Sequence, residues 1–529
     1  MNFNCTHNLV DKYLYIRALC LCTKEVDRTC TPDLPFEPEA DIISAMLRDI
    51  EPFERIWRTL RGASLTTDAI VSFVRFLEEK LGAEMVYDVA RFPSPNLDLT
   101  DLLELAESMR AAGILRSYGK SSGAPDEPPL SLWHARYRDG EESHASGGAI
   151  EDERHALVTT IAEALERHIW FEAVDYFQKP VAATVRQIER AGRFVRPESF
   201  AGYSEEQRLE HPHLRITPES IYSWIRAVSL LKKEYLFIPT QIISAHHDAK
   251  RLVHKRVEPV LRRTVTTGLG THPVREEALL SGALEIIERD AYMIMWLNQL
   301  TLPRIDLDDL SAQSHSLKIL LDRCARYRLR PHVVRMLTDA PAYAFCAIIE
   351  DETGLEPRVT IGMKSHRDPA VCAEKALTEA LRARRGTRNL LANFTDADRN
   401  KTAREIGHYD RLTYWATGDR YTKLAFLHQG TLQKLTREVW EKDTAGEHLE
   451  RIVKWCIKHN YTCVSVPFTS SKKNIPGWHI EMVVIPELQP LGYEESVPYI
   501  GGRRLTDIPK MSGYTPRKII FTGAPHPFA

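Results

Sequence analysis

Two segments of this 529-residue chain repeat one chemical pattern. Thr159-Thr-Ile-Ala-Glu163-Ala-Leu-Glu166-Arg167 and Ser281-Gly-Ala-Leu-Glu285-Ile-Ile-Glu288-Arg289 each read hydroxyl, Glu four on, Glu three further and Arg next. On a helix the offsets i, i+4, i+7 and i+8 share one stripe, and Ile161, Leu165, Leu284 and Ile287 fall off it. Each helix would then present a hydroxyl, two carboxylates and a guanidinium together. Lys375-Ala-Leu-Thr-Glu379-Ala-Leu-Arg382-Ala-Arg384 repeats the i, i+4, i+7 placement with mixed charge. Mg²⁺ is a hard cation that takes oxygen ligands and is commonly held by a few carboxylates plus substrate phosphates. Carboxylates from two helices could hold Mg²⁺ against ATP, while Arg and Lys offset the charge of a transferring phosphoryl group. The pattern alone leaves a second reading open, because a Glu-x-x-Glu-Arg helix is ordinarily a solvated face with internal ion pairs.

These segments need elements to carry them. Residues 1 to about 115 have mostly helical periodicity, clearest in Asp41-Ile-Ile-Ser-Ala-Met-Leu, Ala69 to Leu77 and Leu102 to Met109. The last run is followed by Gly113-Ile-Leu, the rhythm of a small helical or winged-helix module. From Ser117 to Gly148 the chain turns polar and irregular, with Ser121-Ser-Gly-Ala-Pro-Asp-Glu-Pro-Pro129, and reads as a linker. Beyond it lies an α/β (α+β) mixture, with strands expected at Tyr235-Leu-Phe-Ile-Pro, Ala344-Phe-Cys-Ala-Ile-Ile, Cys463-Val-Ser-Val-Pro and His479-Ile-Glu-Met-Val-Val-Ile-Pro.

The balance of 70 Lys+Arg against 72 Asp+Glu gives a formal charge of −2, which argues against a nucleic-acid-binding protein, since such a protein needs a basic excess. No stretch approaches about 18 consecutive apolar residues, and the start lacks a basic and an apolar signal region, so the expectation is a cytoplasmic chain that neither enters nor binds a membrane. Nine cysteines, an odd number, argue against a disulfide framework. Cys5, Cys20, Cys22 and Cys30 match no paired zinc spacing, and His7, His211-x-His213 and His246-His247 have no companion ligands. Gly113-Ile-Leu-Arg-Ser-Tyr-Gly119-Lys120-Ser121 imitates a phosphate loop but holds five residues between its glycines where the loop needs four. Trp170, Trp224 and Trp296 follow apolar helical spacing and read as core or pocket walls.

Further residues extend the three helices into a resemblance. Gly147-Gly-Ala through Ala162-Glu-Ala-Leu-Glu-Arg167, Thr267-Gly-Leu-Gly with Glu276-Glu-Ala to Asp290-Ala291, and Gly362-Met-Lys-Ser-His-Arg-Asp-Pro369 to Ala380 occur in order. Downstream come Val484-Ile-Pro-Glu-Leu-Gln-Pro-Leu, Ile500-Gly-Gly-Arg-Arg-Leu505 and a proline-rich end, Pro525-His-Pro-Phe-Ala529. From about Gly147 to Ala529 the chain resembles YcaO-domain proteins, and more narrowly the YcaO cyclodehydratases of azole- and azoline-containing ribosomal peptide biosynthesis.

That resemblance implies a YcaO-type ATP-binding fold over 147–529, preceded by a linker at 117–146 and a helical, winged-helix-like module at 1–116 suited to a leader peptide or partner. It implies ATP and Mg²⁺ as cofactors. Glu163, Glu166, Glu285 and Glu288 become metal ligands, and Thr159, Glu163, Arg167, Glu277, Ser281 and Lys375 nucleotide contacts. Glu288, Arg289 and Glu379, with Pro525, Pro527 and Ala529 of a tail directed into the site, become catalytic. The implied reaction is attack of a Cys, Ser or Thr side chain on the preceding amide, phosphorylation of the amide oxygen by ATP, and loss of phosphate to leave an azoline, as in bacteriocin biosynthesis. Implied partners are a precursor peptide with a leader and a Cys/Ser/Thr-rich core, a ubiquitin-activating-like or leader-binding protein, a flavin dehydrogenase and a second copy of the chain. Thioamide or amidine formation, peptide cleavage and a non-catalytic leader-binding scaffold are the alternatives. The chain departs from the family pattern in His272-Pro273 where Gly-Asn is common, Lys375 where Arg is common, Arg382 where Gln is common, and Ala529 where the tail often ends in Pro.

Overall fold

In the computed structural model of the chain, the described residues are 98–529, apart from 122, 139–143, 173–179, 245–257, 396–397, 399–400, 403–404, 408–409, 469–477, 494, 518–523 and 529. The N-terminal module expected at 1–116 lies outside them except for its last helix, α1 (Leu99–Ala111). Asp98 caps α1 in a reciprocal box with Asp101, satisfying amides that a helix start leaves open.

The expected linker is corrected by the structure. Strands β1 (Ser117–Lys120), β2 (Ser131–Arg136) and β3 (His144–Ala149) occupy most of it and form an antiparallel sheet in the order β1-β2-β3. Gly147 and Gly148 of β3 serve close packing rather than flexibility. Gly147 faces helix α2 (Glu153–Glu172), and a Cβ there would lie 2.1 Å from the Ala156 carbonyl oxygen. The imitation phosphate loop is the turn after α1 followed by β1, and its Lys120 pairs with Glu153 (2.8 Å).

A six-stranded sheet follows the order β4-β5-β13-β14-β7, with β6 added on β5; its strands are β4 (Val181–Thr184), β5 (Ile221–Ser229), β6 (Tyr235–Pro239), β7 (Leu269–His272), β13 (Val464–Pro467) and β14 (His479–Val484). A five-stranded sheet runs β11-β10-β9-β8-β12, from β8 (Arg304–Ile305), β9 (Leu329–Arg335), β10 (Tyr343–Asp351), β11 (Val359–His366) and β12 (Leu432–Gln433). Pairing is antiparallel except between β8 and β12. β10 is buried along both faces, which explains its unbroken apolar run. The four strands expected from sequence are β6, β10, β13 and β14.

Helices α3 (Arg275–Asn298) and α4 (Pro369–Leu391) complete the frame. α3 is apolar around most of its circumference and runs through the core, with Ala283, Ile287, Ala291 and Met295 fully buried. Asp368 caps α4 by accepting from the Ala370 and Val371 amides, and Pro369 occupies the first turn, where no donor is needed. Trp170, Trp224 and Trp296 are buried as expected, but Trp224 lies on strand β5 and not on a helix. Among the described residues no helix is long and apolar enough to cross a membrane.

Three strand-to-helix units recur: β3 to α2, β7 to α3 and β11 to α4. Each strand lies at the end of its own sheet. Each also brings a glycine against its helix, since Cβ atoms on Gly147, Gly270 and Gly362 would sit 2.1, 2.1 and 2.3 Å from the carbonyl oxygens of Ala156, Ala278 and Ala376. Each helix further packs on the strand of the next unit, α2 on β7, α3 on β11 and α4 on β3, so the units close into a ring.

Candidate active site

The ring brings the glutamates together. Because glycine lets strand and helix backbones approach, the first Glu of each helix stripe accepts a hydrogen bond from its own unit's strand or the residue before it. The Ser146 amide donates to Glu163 (3.1 Å), Gly268 to Glu285 (3.0 Å) and Met363 to Glu379 (2.6 Å). Three residues on, each helix reaches the next unit. Glu288 of α3 accepts from the Ser365 amide of β11 (2.8 Å), and Arg382 of α4 donates to the Ser146 carbonyl and hydroxyl of β3 (2.6 Å each). Glu166 of α2 lies beside the Thr271 hydroxyl of β7, without a geometrically complete hydrogen bond.

Consequently carboxylates meet where units join. Glu166 faces Glu285, and burial together with that like charge raises the Glu166 carboxyl well above the ordinary carboxylate range. Glu379 faces Glu288, and burial with the Glu288 charge raises its carboxyl likewise. Arg289 lies between, donating to Glu285 (3.1 Å) and Glu288 (2.9 Å). Burial opposes the Arg289 charge, but Glu288 and Glu285 more than offset it and hold the guanidinium protonated. Arg167 pairs with Glu163 (2.7 Å).

A second group lies toward the helix N-termini. The Lys375 ammonium stays open to the cleft yet is crowded by protein; this burial, and then Lys364, lower it to about 8, a shift softened by the water it still meets. Burial and then Lys375 push His366 down to about 3. Arg367 pairs with Glu277 (3.7 Å). Burial also lowers His272, which accepts from the Val274 amide (3.0 Å). Lys364, Arg367 and Lys375 thus give one end of the site a basic wall.

The C-terminal tail forms the opposite end. The Trp415 indole donates to the Pro525 carbonyl (2.9 Å), and His526 bonds the Gly492 carbonyl (2.6 Å). Tyr292, four residues beyond Glu288, packs its ring against His526 and Phe528, and Phe528 lies 4.4 Å from the Arg289 guanidinium. Pro525 and Pro527 are buried beside them; Ala529 lies outside the described residues.

Of the other expected contacts, Thr159 is half-buried and its hydroxyl bonds the His155 carbonyl of its own helix (2.9 Å), whereas Ser281 is exposed. The His211 and His213 rings lie against each other, and His7 and His246-His247 lie outside the described residues. Sequence reasoning missed the backbone amides of Ser146, Gly268, Met363 and Ser365, and gave no role to Lys364, Arg367, Trp415 or Phe528. Lys364 and Arg367 sit within a quoted motif segment, so that signal was available; the amides leave no side-chain trace.

The donor set is suited to Mg²⁺ and a polyphosphate. It consists of hard carboxylate oxygens in like-charged pairs that call for a cation between them, beside lysine and arginine. Among the described residues no three His, Cys, Asp or Glu side chains converge to hold a metal by themselves. A cation at either pair would therefore need further oxygens from water or phosphate.

Comparison with known proteins bears on the family and the fold. The family model of the YcaO cyclodehydratases, described as ATP- and Mg²⁺-binding, matches residues 147–489. The chain is 26% identical over 215 residues to an uncharacterized protein of Methanothermobacter thermautotrophicus, covering 39% of this chain and 54% of that one. It is 27% identical over 182 residues to an uncharacterized protein in the tfuA 3' region of Rhizobium leguminosarum bv. trifolii, covering 32% and 41%. The chain thus spans about half the length of the curated relatives it matches. Among solved structures, a heterocyclase in complex with substrate and cofactor superposes with a TM-score of 0.62 at 18% identity, over 78% of this chain and 55% of that one. YcaO from Methanopyrus kandleri bound with AMPPCP and Mg²⁺ gives 0.52 at 16%, over 76% and 93%. The E. coli Microcin synthetase McbBCD complex with pro-MccB17 bound gives 0.55 at 13%, over 78% and 96%.

Proposed function

This chain belongs to the YcaO family, whose cofactors are ATP and Mg²⁺, and from that premise we propose that it cyclodehydrates Cys, Ser or Thr residues of a ribosomally made precursor peptide to azolines. The observation that carries the proposal is the meeting of Glu163, Glu166, Glu285, Glu288 and Glu379 from three helices beside Arg289, between a basic wall and a buried tail. Glu166 with Glu285, and Glu288 with Glu379, would hold Mg²⁺. When bound, the ion neutralises phosphate charge and polarises the phosphoryl group for transfer to an amide oxygen.

The protein's own groups supply position and charge. Lys375, Lys364 and Arg367 orient the polyphosphate, with Glu277 fixing Arg367. Arg289, held by two carboxylates, meets charge that develops at the transferring group without having to reorganise. The buried tail excludes water from that end, which matters because a phosphorylated amide would otherwise hydrolyse. A precursor with a leader and a Cys/Ser/Thr-rich core is the substrate of this reading, a leader-binding or ubiquitin-activating-like protein is its partner, and a flavin dehydrogenase would act only afterwards, on the azoline.

Incubation of the full chain with ATP, Mg²⁺, its partner and a Cys/Ser/Thr-rich precursor should remove one water per ring from the peptide, read by mass spectrometry. Glu288→Gln should lower ATP turnover at least about 100-fold, the scale of losing a preorganised charge at a reacting phosphoryl group. Replacement of oxygen by sulfur in the product would indicate thioamide formation instead. An unchanged peptide with no ATP turnover would refute the proposal.

A further inference from the structure

The ring assigns a role to a residue that the recurring pattern places in register with two glutamates. Each helix contributes a first residue bound to its own strand, Glu163, Glu285 or Glu379, and a second, three positions on, reaching the next unit: Glu166, Glu288 or Arg382. The ring therefore has three junctions. At the first, Glu285 accepts from the Gly268 amide just before β7 and Glu166 lies beside Thr271 of β7; at the second, Glu379 and Glu288 accept from the Met363 and Ser365 amides of β11. At the third, Arg382 binds the Ser146 carbonyl and hydroxyl, and the Ser146 amide donates to Glu163.

We infer that Arg382 is the built-in cation of the third junction, so that this chain takes divalent ions at two junctions and closes the third with its own guanidinium. The carboxylates of the first two junctions share the Arg289 guanidinium and so leave negative charge for an ion, whereas Glu163 at the third already has Arg167 and, through Ser146, the guanidinium of Arg382. Its contacts fit a fixed post rather than a mobile ligand. Arg382 Nη2 makes two short hydrogen bonds to a single residue, and its stem packs so closely that a Cβ on Gly148 would lie 2.9 Å from Arg382 Cδ. Arg382 is thus a positioning residue that ties α4 to β3 and sets how many ions the ring accepts. The inference rests on the metal and nucleotide reading above, and its test separates the two.

The full chain is titrated with Mn²⁺ in the presence of AMPPCP, free Mn²⁺ being counted by electron paramagnetic resonance, with metal-free and metal-loaded melting measured alongside. The wild-type chain should saturate at two ions. Arg382→Glu should take a third, and Arg382→Lys should keep two. Arg382→Gln, which removes the guanidinium from the third junction and leaves Glu163 to Arg167, should melt lower when metal-free and regain more on adding Mn²⁺ than the wild type does. It also supplies the test if the glutamate variant does not fold. Failure of the wild type to bind Mn²⁺ with AMPPCP would overturn the nucleotide reading and the inference together. Two ions in the wild type with the same two in Arg382→Glu, three ions in the wild type, or equal recovery of Arg382→Gln and wild type would each overturn the inference alone.

Discussion

Glu166 and Glu379 are each half-buried beside another carboxylate, a placement favoured by a proton or a cation between the two groups. The consequence for pH has a definite sign. A carboxyl raised above the ordinary 4.5 binds its proton more tightly folded than unfolded. Its stabilising contribution is therefore complete below that value and is lost as pH rises through the folded-state value. Lys375, held down to about 8, has the opposite slope, so the informative comparison is with a variant in which Lys375 is unchanged. Metal-free Glu166→Gln should lose less stability than the wild type as pH rises above the ordinary carboxylate range, and Mg²⁺ should narrow the gap, because the ion takes the place of the proton. Thermal melts in a chelator and in Mg²⁺ check this. The helix glutamates were legible in the sequence because helical spacing is a local property. Phe528 over Arg289 was not, since the two meet across 239 positions of chain.

The strand-to-helix unit explains which parts of the pattern could be read in one dimension. The echo between α2 and α3 was visible, and Lys375, Glu379 and Arg382 extended it to α4 with altered charge. The strand half went unseen at β3, because His144-Ala-Ser-Gly-Gly-Ala has the composition of a flexible linker. Its Gly147 is small because the Ala156 carbonyl fills the space of a side chain, and no local signal separates that cause from looseness. The same contact at Gly362 allows Glu379 to reach the Met363 amide. Gly362→Ala should destabilise the protein by roughly 1–3 kcal/mol, the usual range for overpacking, because the crowding atoms are backbone and cannot swing aside. It should also weaken Mg²⁺ binding as Glu379 is pushed away. Urea unfolding and metal titration of the same variant measure both effects.

At the scale of the whole chain, a buried ionic network fixes α3 against the C-terminal region. Arg504, at the start of α5 (Arg504–Met511), donates to both Asp290 oxygens (2.8 to 3.0 Å) and to Asp339 (2.7 Å), while the Gln489 amide also donates to Asp290. Asp290 follows Arg289 directly, so this network sets the register of the helix that carries Glu285 and Glu288. Gly501 and Gly502 let the segment approach, since Cβ atoms there would lie 2.3 Å from the Tyr203 carbonyl oxygen and 2.2 Å from Gln489 Oε1. The Ile500-Gly-Gly-Arg-Arg segment is thus a structural anchor. Arg504→Ala should cost about 3–5 kcal/mol, because it leaves Asp290 buried without its partner. A larger loss of stability than Gly362→Ala in urea unfolding, with ATP turnover falling in parallel, is the expected result.

The sequence by itself determined which residues could bind an ion and a nucleotide, because side-chain chemistry and helical period are written locally. It determined the α/β class and the strands with apolar runs for the same reason. Only the tertiary structure decided that the three helices close into a ring, that backbone amides on or just before edge strands of three sheets bind the glutamates, and that Arg382 meets Ser146 of β3. Those facts depend on contacts between residues far apart in the chain, where backbone approach through glycine and the burial of charge select one arrangement from many that the same local patterns allow.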